Sequence, residues 1–162
     1  IVPVADKERM LWAAEKCAEL QITSWRPVHF ARSRSVTPRG EGPKFSEKIS
    51  ARMQSALEQS SAAWMPDIHH EAEAIDVLRS IPSEWKRLLL DVSGNPLARI
   101  VSNGPTSIAV GPEGGLERNE ITAAEERGWK LSSLTLTTLR FETAVVAAAA
   151  VIRATQLSLG SV

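Results

Sequence analysis

A chain that ends a buried strand against three glycines and then starts a helix has few architectures open to it. Here a short apolar run, Ile108, Ala109 and Val110, meets Gly111-Pro112-Glu113-Gly114-Gly115, and a helix-like stretch comes next. In an open α/β sheet, ligands bind in the crevice outside the carboxyl ends of the strands, and this turn sits at such an end. Glycines there give the main chain conformations closed to other residues and let a ligand approach it closely. N–H groups exposed just ahead of a helix suit an anion or the polar edge of a base. A tight connection with no ligand fits the glycines equally well. No Lys-Ser/Thr follows, so this is no Walker loop, and the G-x-G-x-x-G spacing is absent.

The rest of the chain supplies the frame. Ile1 to Val4 reads as the end of a strand. From Glu8 to Leu20, Met10, Leu11, Ala14, Cys17 and Ala18 recur at helical spacing, with Glu8, Glu15, Lys16 and Glu19 on the other side. Ile22 to Phe30 reads as a strand, residues 33 to 43 as a loop rich in Ser, Thr, Pro and Gly, and Phe45 to Ser60 as a second helix. Arg87 to Val92 is a continuous apolar run of the kind that forms a strand buried on both faces. Asn95-Pro96 and Asn103-Gly104-Pro105 punctuate the connection after it. Then come a strand from Ser107 to Val110, a helix from Asn119 to Arg127 closed by Gly128, a strand from Lys130 to Leu136 and a helix from Glu142 to Gln156. Alternation of this kind predicts an α/β domain, a mostly parallel sheet with helices on both faces.

At 162 residues the chain makes one domain. Nineteen basic side chains balance nineteen acidic ones, which argues against gripping RNA or DNA by bulk charge. A local patch is still open. Between Arg26 and Arg52 lie seven basic residues (Arg26, Arg32, Arg34, Arg39, Lys44, Lys48 and Arg52) against Glu41 and Glu47. A phosphate-tracking surface and an ordinary solvated face both fit that segment. The single cysteine, Cys17, excludes an internal disulfide framework, reads as core, and suits a reducing compartment. No apolar run approaches the roughly 18 residues of a membrane span, so a cytoplasmic location is expected. His69-His70 lacks a third ligand at metal-site spacing, and no metal is expected. The first residue is Ile rather than Met, which predicts a longer parent chain. The alanine-rich stretch from Ala144 to Ala154 allows another helix to approach closely, either within the chain or at a dimer seam.

The residues around the glycine turn narrow these options. The stretch IAVGPEGGLERNEITAAEERGW followed by SLTLTTLRFETAVVAAAAVI resembles the C-terminal half of the RsmE family. These are methyltransferases of the SPOUT superfamily that modify N3 of a uridine in small-subunit ribosomal RNA. The matching motifs are Gly111 to Gly115, Glu120-Ile121, and Leu139-Arg140-Phe141-Glu142-Thr143-Ala144. Upstream, Arg9, Glu15, Lys16, Glu19 and Leu20 match the family's first helix. Ala31 to Ser33 and Glu58-Gln59-Ser60 with Pro66 follow in order and at similar spacing.

The resemblance implies a SPOUT-type α/β domain with a C-terminal trefoil knot, a homodimer packed through the knot region, and S-adenosylmethionine as cofactor. The family's N-terminal RNA-binding β-barrel has no counterpart here. The implied cofactor pocket has Val110, Gly111 and Gly115 on one wall, Leu134, Leu136, Leu139 and Arg140 on a second, and Leu90 on a third. Adenine suits such a pocket, since its faces are apolar and its edge pairs with main-chain groups. Arg9, Arg32, Arg34 and Arg39 are the implied RNA contacts.

The uridine N3 proton has to leave before or during attack, which calls for a base or for a cation that favours the anion. Arg140 is the candidate cation; a salt bridge to Glu142 is its bland alternative. Glu113 is the candidate base, or else a carboxylate serving the next helix's N-terminus.

The chain also departs from the family pattern. Ser61-Ala62-Ala63 stands where Gly-Arg is usual, Thr135-Leu136-Thr137 where Gly-Pro-Arg is usual, and Phe141 where Thr is usual. Glu117 occupies a position where a capping Ser is common, so Asn119 is expected to cap that helix. The lost arginines weaken RNA contacts more than cofactor contacts. Three readings remain: an rRNA uridine methyltransferase domain, a non-catalytic SPOUT-like module that binds cofactor or RNA, or a nucleotide-binding α/β domain of another kind.

Overall fold

Leu88 and Leu89 dictate the layering. Neighbours on a strand send their side chains to opposite faces, yet the two are 0% and 1% exposed. The sheet is therefore covered on both sides. The computed structural model describes residues 1–33, 39–62 and 64–160. In chain order these form β1 (Val2–Pro3), α1 (Lys7–Glu19), β2 (Ser24–Trp25), β3 (Pro27–His29), a 3₁₀ turn at Ala31–Ser33, α2 (Pro43–Ser60), β4 (Asp67–Ile68) and β5 (Ala72–Glu73). Next are α3 (Ala74–Ser80), β6 (Lys86–Pro96), α4 (Leu97–Ile100), β7 (Thr106–Ala109), α5 (Arg118–Glu126), β8 (Lys130–Ser133) and α6 (Phe141–Ser158).

The ladders between these strands are parallel. One sheet has the order β7-β6-β8 and another β1-β3-β5, with β2 pairing β4. The first two join edge to edge, because Val110 N donates to Ile1 O at 3.0 Å and Ile1 N donates to Ile108 O at 2.8 Å. On one face Leu88 packs with Leu97, Val101 and Ala148, from α4 and α6 and the residue between α4 and β7. On the other, Leu89 packs with Leu78, Ala124 and Trp129, against α3 and α5. The α/β architecture expected from the alternating pattern is the one observed.

Details differ where local chemistry intervenes. The strand expected over Ile22 to Phe30 is two short strands, because Pro27 fixes its own φ and has no N–H to donate. The run from Arg87 to Val92 continues to Pro96, and both Leu90 and Asn95 pair with Ser132 across a register shift. Gly94 lies in that shift with its Cα hard against the β8 main chain. A Cβ there would sit 2.3 Å from Ser132 N. Helix α5 starts at Arg118 with Glu117, not Asn119, as its N-cap. The reason is Glu120, whose Oε2 accepts the Glu117 N–H at 2.7 Å and fixes the entry of the chain at Glu117.

The apolar face read from α1 is the buried one: Met10, Leu11, Ala14, Cys17 and Ala18 are all in the core. Burial pushes the Cys17 thiol up to about 12, so it stays protonated and inert. Among the described residues no helix is long and apolar enough to cross a membrane.

Trp129 ties β8 to α3. Its indole Nε1 donates to Leu78 O at 2.9 Å from a site only 6% exposed. Trp129→Phe removes both ring area and that donor, and is expected to cost about 2–3 kcal/mol. A thermal melt should show a fall on the order of 5–10 °C; an unchanged midpoint would mean the indole contributes neither packing nor a bond.

Candidate cofactor cavity at the strand ends

The carboxyl ends of β6, β7 and β8 surround a cavity of about 340 Å³, within the usual range of about 300–1,000 Å³ for small-molecule sites. Each wall comes from the residues just past a strand end. After β7 the chain turns through Pro112 to Gly115, closed by Gly115 N donating to Pro112 O at 2.9 Å. Gly115 has φ of +74°, a left-handed conformation that side-chain-bearing residues adopt at a cost. Gly111 leaves space instead: a Cβ on it would lie 3.3 Å from Leu116 Cδ2. From β6 come Leu90, Asp91 and Val92, which lie within the strand just past the end of its pairing with β7 at Leu89. Past β8, the chain from Leu134 to Leu139 closes the third side, and Phe141 and Ala144 of α6 complete it.

Of the residues expected to hold a cofactor, Leu90, Val110, Gly111, Gly115, Leu134 and Leu139 line this cavity. Leu136 does not; it is 97% exposed and points to solvent. The strand read through Leu136 stops at Ser133, so the alternation that would put Leu134 and Leu136 on one face is lost. Thr135 Oγ1 donates to Thr137 O at 2.6 Å and turns the chain between them. Arg140 also lies outside the lining and is the N-cap residue of α6. Its guanidinium makes no ion pair among the described residues. The alternative partner Glu142 approaches Arg9 instead, at 3.8 Å.

The main chain of the glycine turn is partly engaged. The Val110 and Gly115 amides already donate to Ile1 O and Pro112 O. That leaves their carbonyls and the Gly111 amide without a protein partner among the described residues. Leucine and valine walls with a few such main-chain groups suit a flat heteroaromatic ring bearing polar edge atoms.

A second cavity of about 470 Å³ lies on the other side of the turn, sharing Pro112, Glu113, Gly114 and Phe141 with the first. Asp6, Arg9 and Arg32 face it. Glu113 is half exposed and pairs with Arg9 at 2.8 Å. Arg32 donates from Nη1 to Gly114 O at 3.0 Å. Two of the four arginines expected to meet RNA, Arg9 and Arg32, therefore also grip the glycine turn. Arg39 pairs with Glu41 and approaches His29 Nδ1 at 3.2 Å, farther along the surface. Arg34 lies outside the described residues.

Elsewhere in the basic segment, Arg52 pairs with Glu15 at 3.0 Å and Arg26 contacts His69 Nε2 at 3.2 Å. Burial first and the Arg26 charge second hold the His69 ring below its ordinary pKa. The main-chain N–H of His69 donates to Trp25 O at 3.0 Å and prolongs the β2–β4 ladder. Among the described residues no three His, Cys, Asp or Glu side chains group as a metal site.

Sequence reasoning missed Glu120 as more than a motif letter. It is 2% exposed, and its Oε1 accepts the Ala31 N–H at 2.8 Å across the fold. A carboxylate three residues into a helix is read as a cap, and nothing local betrays a partner 89 residues away.

A family described as RNA methyltransferase domain matches residues 1–153. Among solved structures, a ribosomal RNA small subunit methyltransferase E of Neisseria gonorrhoeae bound to S-adenosylmethionine is similar at 26% identity, with a TM-score of 0.82 over 97% of this chain. A Legionella pneumophila protein in complex with the same cofactor shares the fold at 22% identity, with a TM-score of 0.83 over 95% of this chain. The chain spans 65% and 64% of the lengths of these two structures. No curated protein matches the sequence.

Proposed function

From the premise that this chain belongs to the RNA methyltransferase domain family, in keeping with the RsmE resemblance of its motifs, we propose that it transfers a methyl group from S-adenosylmethionine to N3 of a uridine in small-subunit ribosomal RNA. The observation that carries this reading is the first cavity, with aliphatic walls and unpartnered main-chain groups at three parallel strand ends. Those features fit an adenosine moiety: Leu90, Val110, Leu134 and Leu139 would pack its faces, while the Gly111 amide and the Val110 and Gly115 carbonyls would meet its edge. S-adenosylmethionine, when bound, supplies an electrophilic sulfonium methyl.

The remaining work falls to side chains of this protein. The acceptor base enters the open mouth of the first cavity, where N3 can meet the methyl directly, while the second cavity, beyond the shared wall of Pro112 to Gly114 and Phe141, takes the flanking RNA backbone. Arg9 and Arg32 there bind phosphate or base carbonyl oxygens. The N3 proton leaves as N3 gains the methyl, the broken methyl–sulfur bond leaving its electron pair on S-adenosylhomocysteine. To Glu113, on the shared wall, we assign the role of accepting that proton, and to Arg140, the N-cap residue of α6, that of offsetting the negative charge that develops on the ring.

The 162 residues form one SPOUT methyltransferase domain, working as a cytoplasmic homodimer. The half-buried Val151 and Ile152 of α6 support a helix seam between copies. A trefoil knot is part of the same reading.

The test is calorimetric titration with S-adenosylmethionine and S-adenosylhomocysteine, then tritiated methyl transfer to small-subunit rRNA with the product nucleoside identified. Micromolar binding and N3-methyluridine are the expected results. A folded protein that binds neither compound would overturn the enzymatic reading, and a different methylated nucleoside would overturn the uridine assignment.

A further inference from the structure

Glu120 holds a carboxylate at 2% exposure, where an ion without partners is costly. Two main-chain donors compensate it: Ala31 N at 2.8 Å to Oε1, and Glu117 N at 2.7 Å to Oε2. The second bond closes the first turn of α5. The first reaches outside the helix and contributes nothing to its cap. It fixes the start of the 3₁₀ turn Ala31–Ser33, which carries Arg32. Arg32 in turn lies flat on the glycine turn, with Nη1 donating to Gly114 O at 3.0 Å. The contact is close enough that a Cβ on Gly114 would meet Arg32 Cβ at 3.1 Å. Glu120, Ala31, Arg32 and Gly114 thus form one chain of contacts from α5 to the wall of the cofactor cavity.

We infer that Glu120 is a positioning residue for that wall: acting through Ala31 and Arg32, its carboxylate sets the conformation in which the glycine turn receives cofactor. This rests on the proposed cofactor reading but makes a separate demand, that two sites linked by this chain of contacts be energetically coupled. A carboxylate that served only to start α5 would show no such coupling.

The test is a double-mutant cycle. Glu120→Gln keeps the shape but places an NH₂ against one of the two amide donors. It is expected to raise the Kd for S-adenosylhomocysteine about tenfold, and Arg32→Ala should do the same. The double variant should bind no worse than either single one. Ala31→Pro removes only the donor that Oε1 accepts and leaves the helix cap intact. Proline suits that position, because it opens a 3₁₀ turn one residue after β3, and this variant should reproduce the tenfold loss if Glu120→Gln fails to fold.

Hydrogen-exchange mass spectrometry supplies a readout that needs no ligand. Glu120→Gln and Ala31→Pro should each speed exchange at the amides of 111–115. Additive effects on Kd, or unchanged exchange at those amides, would overturn the inference. Should the wild-type protein bind no S-adenosylhomocysteine, the cofactor reading falls, while the exchange data still decide whether Glu120 sets the turn.

Discussion

Gly111→Val is expected to weaken S-adenosylhomocysteine binding at least about 100-fold while leaving the protein folded. The backbone at Gly111 is not in the left-handed region, so valine brings no conformational strain there. Its Cβ would lie 3.3 Å from Leu116 Cδ2, tight but against the end of a flexible side chain. The two γ-methyls have to go either into Leu116 or into the cavity, and both choices shrink the site and shift the Gly111 amide, which is free to meet a ligand edge. Losing that bond and part of the packed face amounts to about 3 kcal/mol, which is the 100-fold expected. Leu136→Ala is the matching control. Exposed at 97% and absent from the lining, Leu136 should be replaceable with no change in Kd. If Leu136→Ala abolishes binding and Gly111→Val does not, the cofactor lies elsewhere. Calorimetry on the two variants decides it, with circular dichroism confirming the fold.

The second large effect concerns the fold itself. Gly94→Ala should cost at least about 3 kcal/mol and lower the melting midpoint by on the order of 10 °C, or leave the protein insoluble. An added methyl would stand 2.3 Å from Ser132 N and 2.5 Å from Leu131 C. Those are main-chain atoms of β8, already fixed by parallel pairing with β6. They have no rotamer to change, so relief requires moving a strand. Gly104→Ala makes a useful comparison: it has open space around it and suffers only from its φ of +98°. A melt in which Gly94→Ala loses no more than Gly104→Ala would show that β6 and β8 do not pass each other so closely.

Legibility in the sequence depended on how local each signal is. The periodicity of Met10, Leu11, Ala14 and Cys17 found α1 and its buried face, and the run Leu88-Leu89-Leu90 found a strand covered on both sides. Helix α3 went unread because seven residues give barely two turns of periodicity, and its N-cap Glu73 makes no side-chain capping bond. Of the residues expected to hold the cofactor, Leu90, Val110, Gly111, Gly115, Leu134 and Leu139 do meet around one cavity. Leu136 was drawn in because alternation was carried past the true end of β8. Long-range pairings were silent: Arg9 with Glu113, Arg32 with Gly114 and Glu120 with Ala31 join residues roughly 80 to 100 positions apart. No local pattern encodes such partners.

The joint between Ile1 and Val110 has a consequence for how the protein is made. Strand β1 is among the first residues of this sequence to leave the ribosome, yet it lies inside the sheet between β3 and β7. One of its edges therefore has no neighbour until more than a hundred further residues have been synthesised. Parallel pairings between distant segments demand large loop closures before any contact repays them, which makes folding slow. The walls of the cofactor cavity, at Leu90, Val110 and Leu139, come together only late in that sequence of events. A nascent chain stalled after β6 would carry exposed, unpaired strand edges and no site at all, so folding of the sheet and birth of the cofactor pocket should appear as one kinetic event.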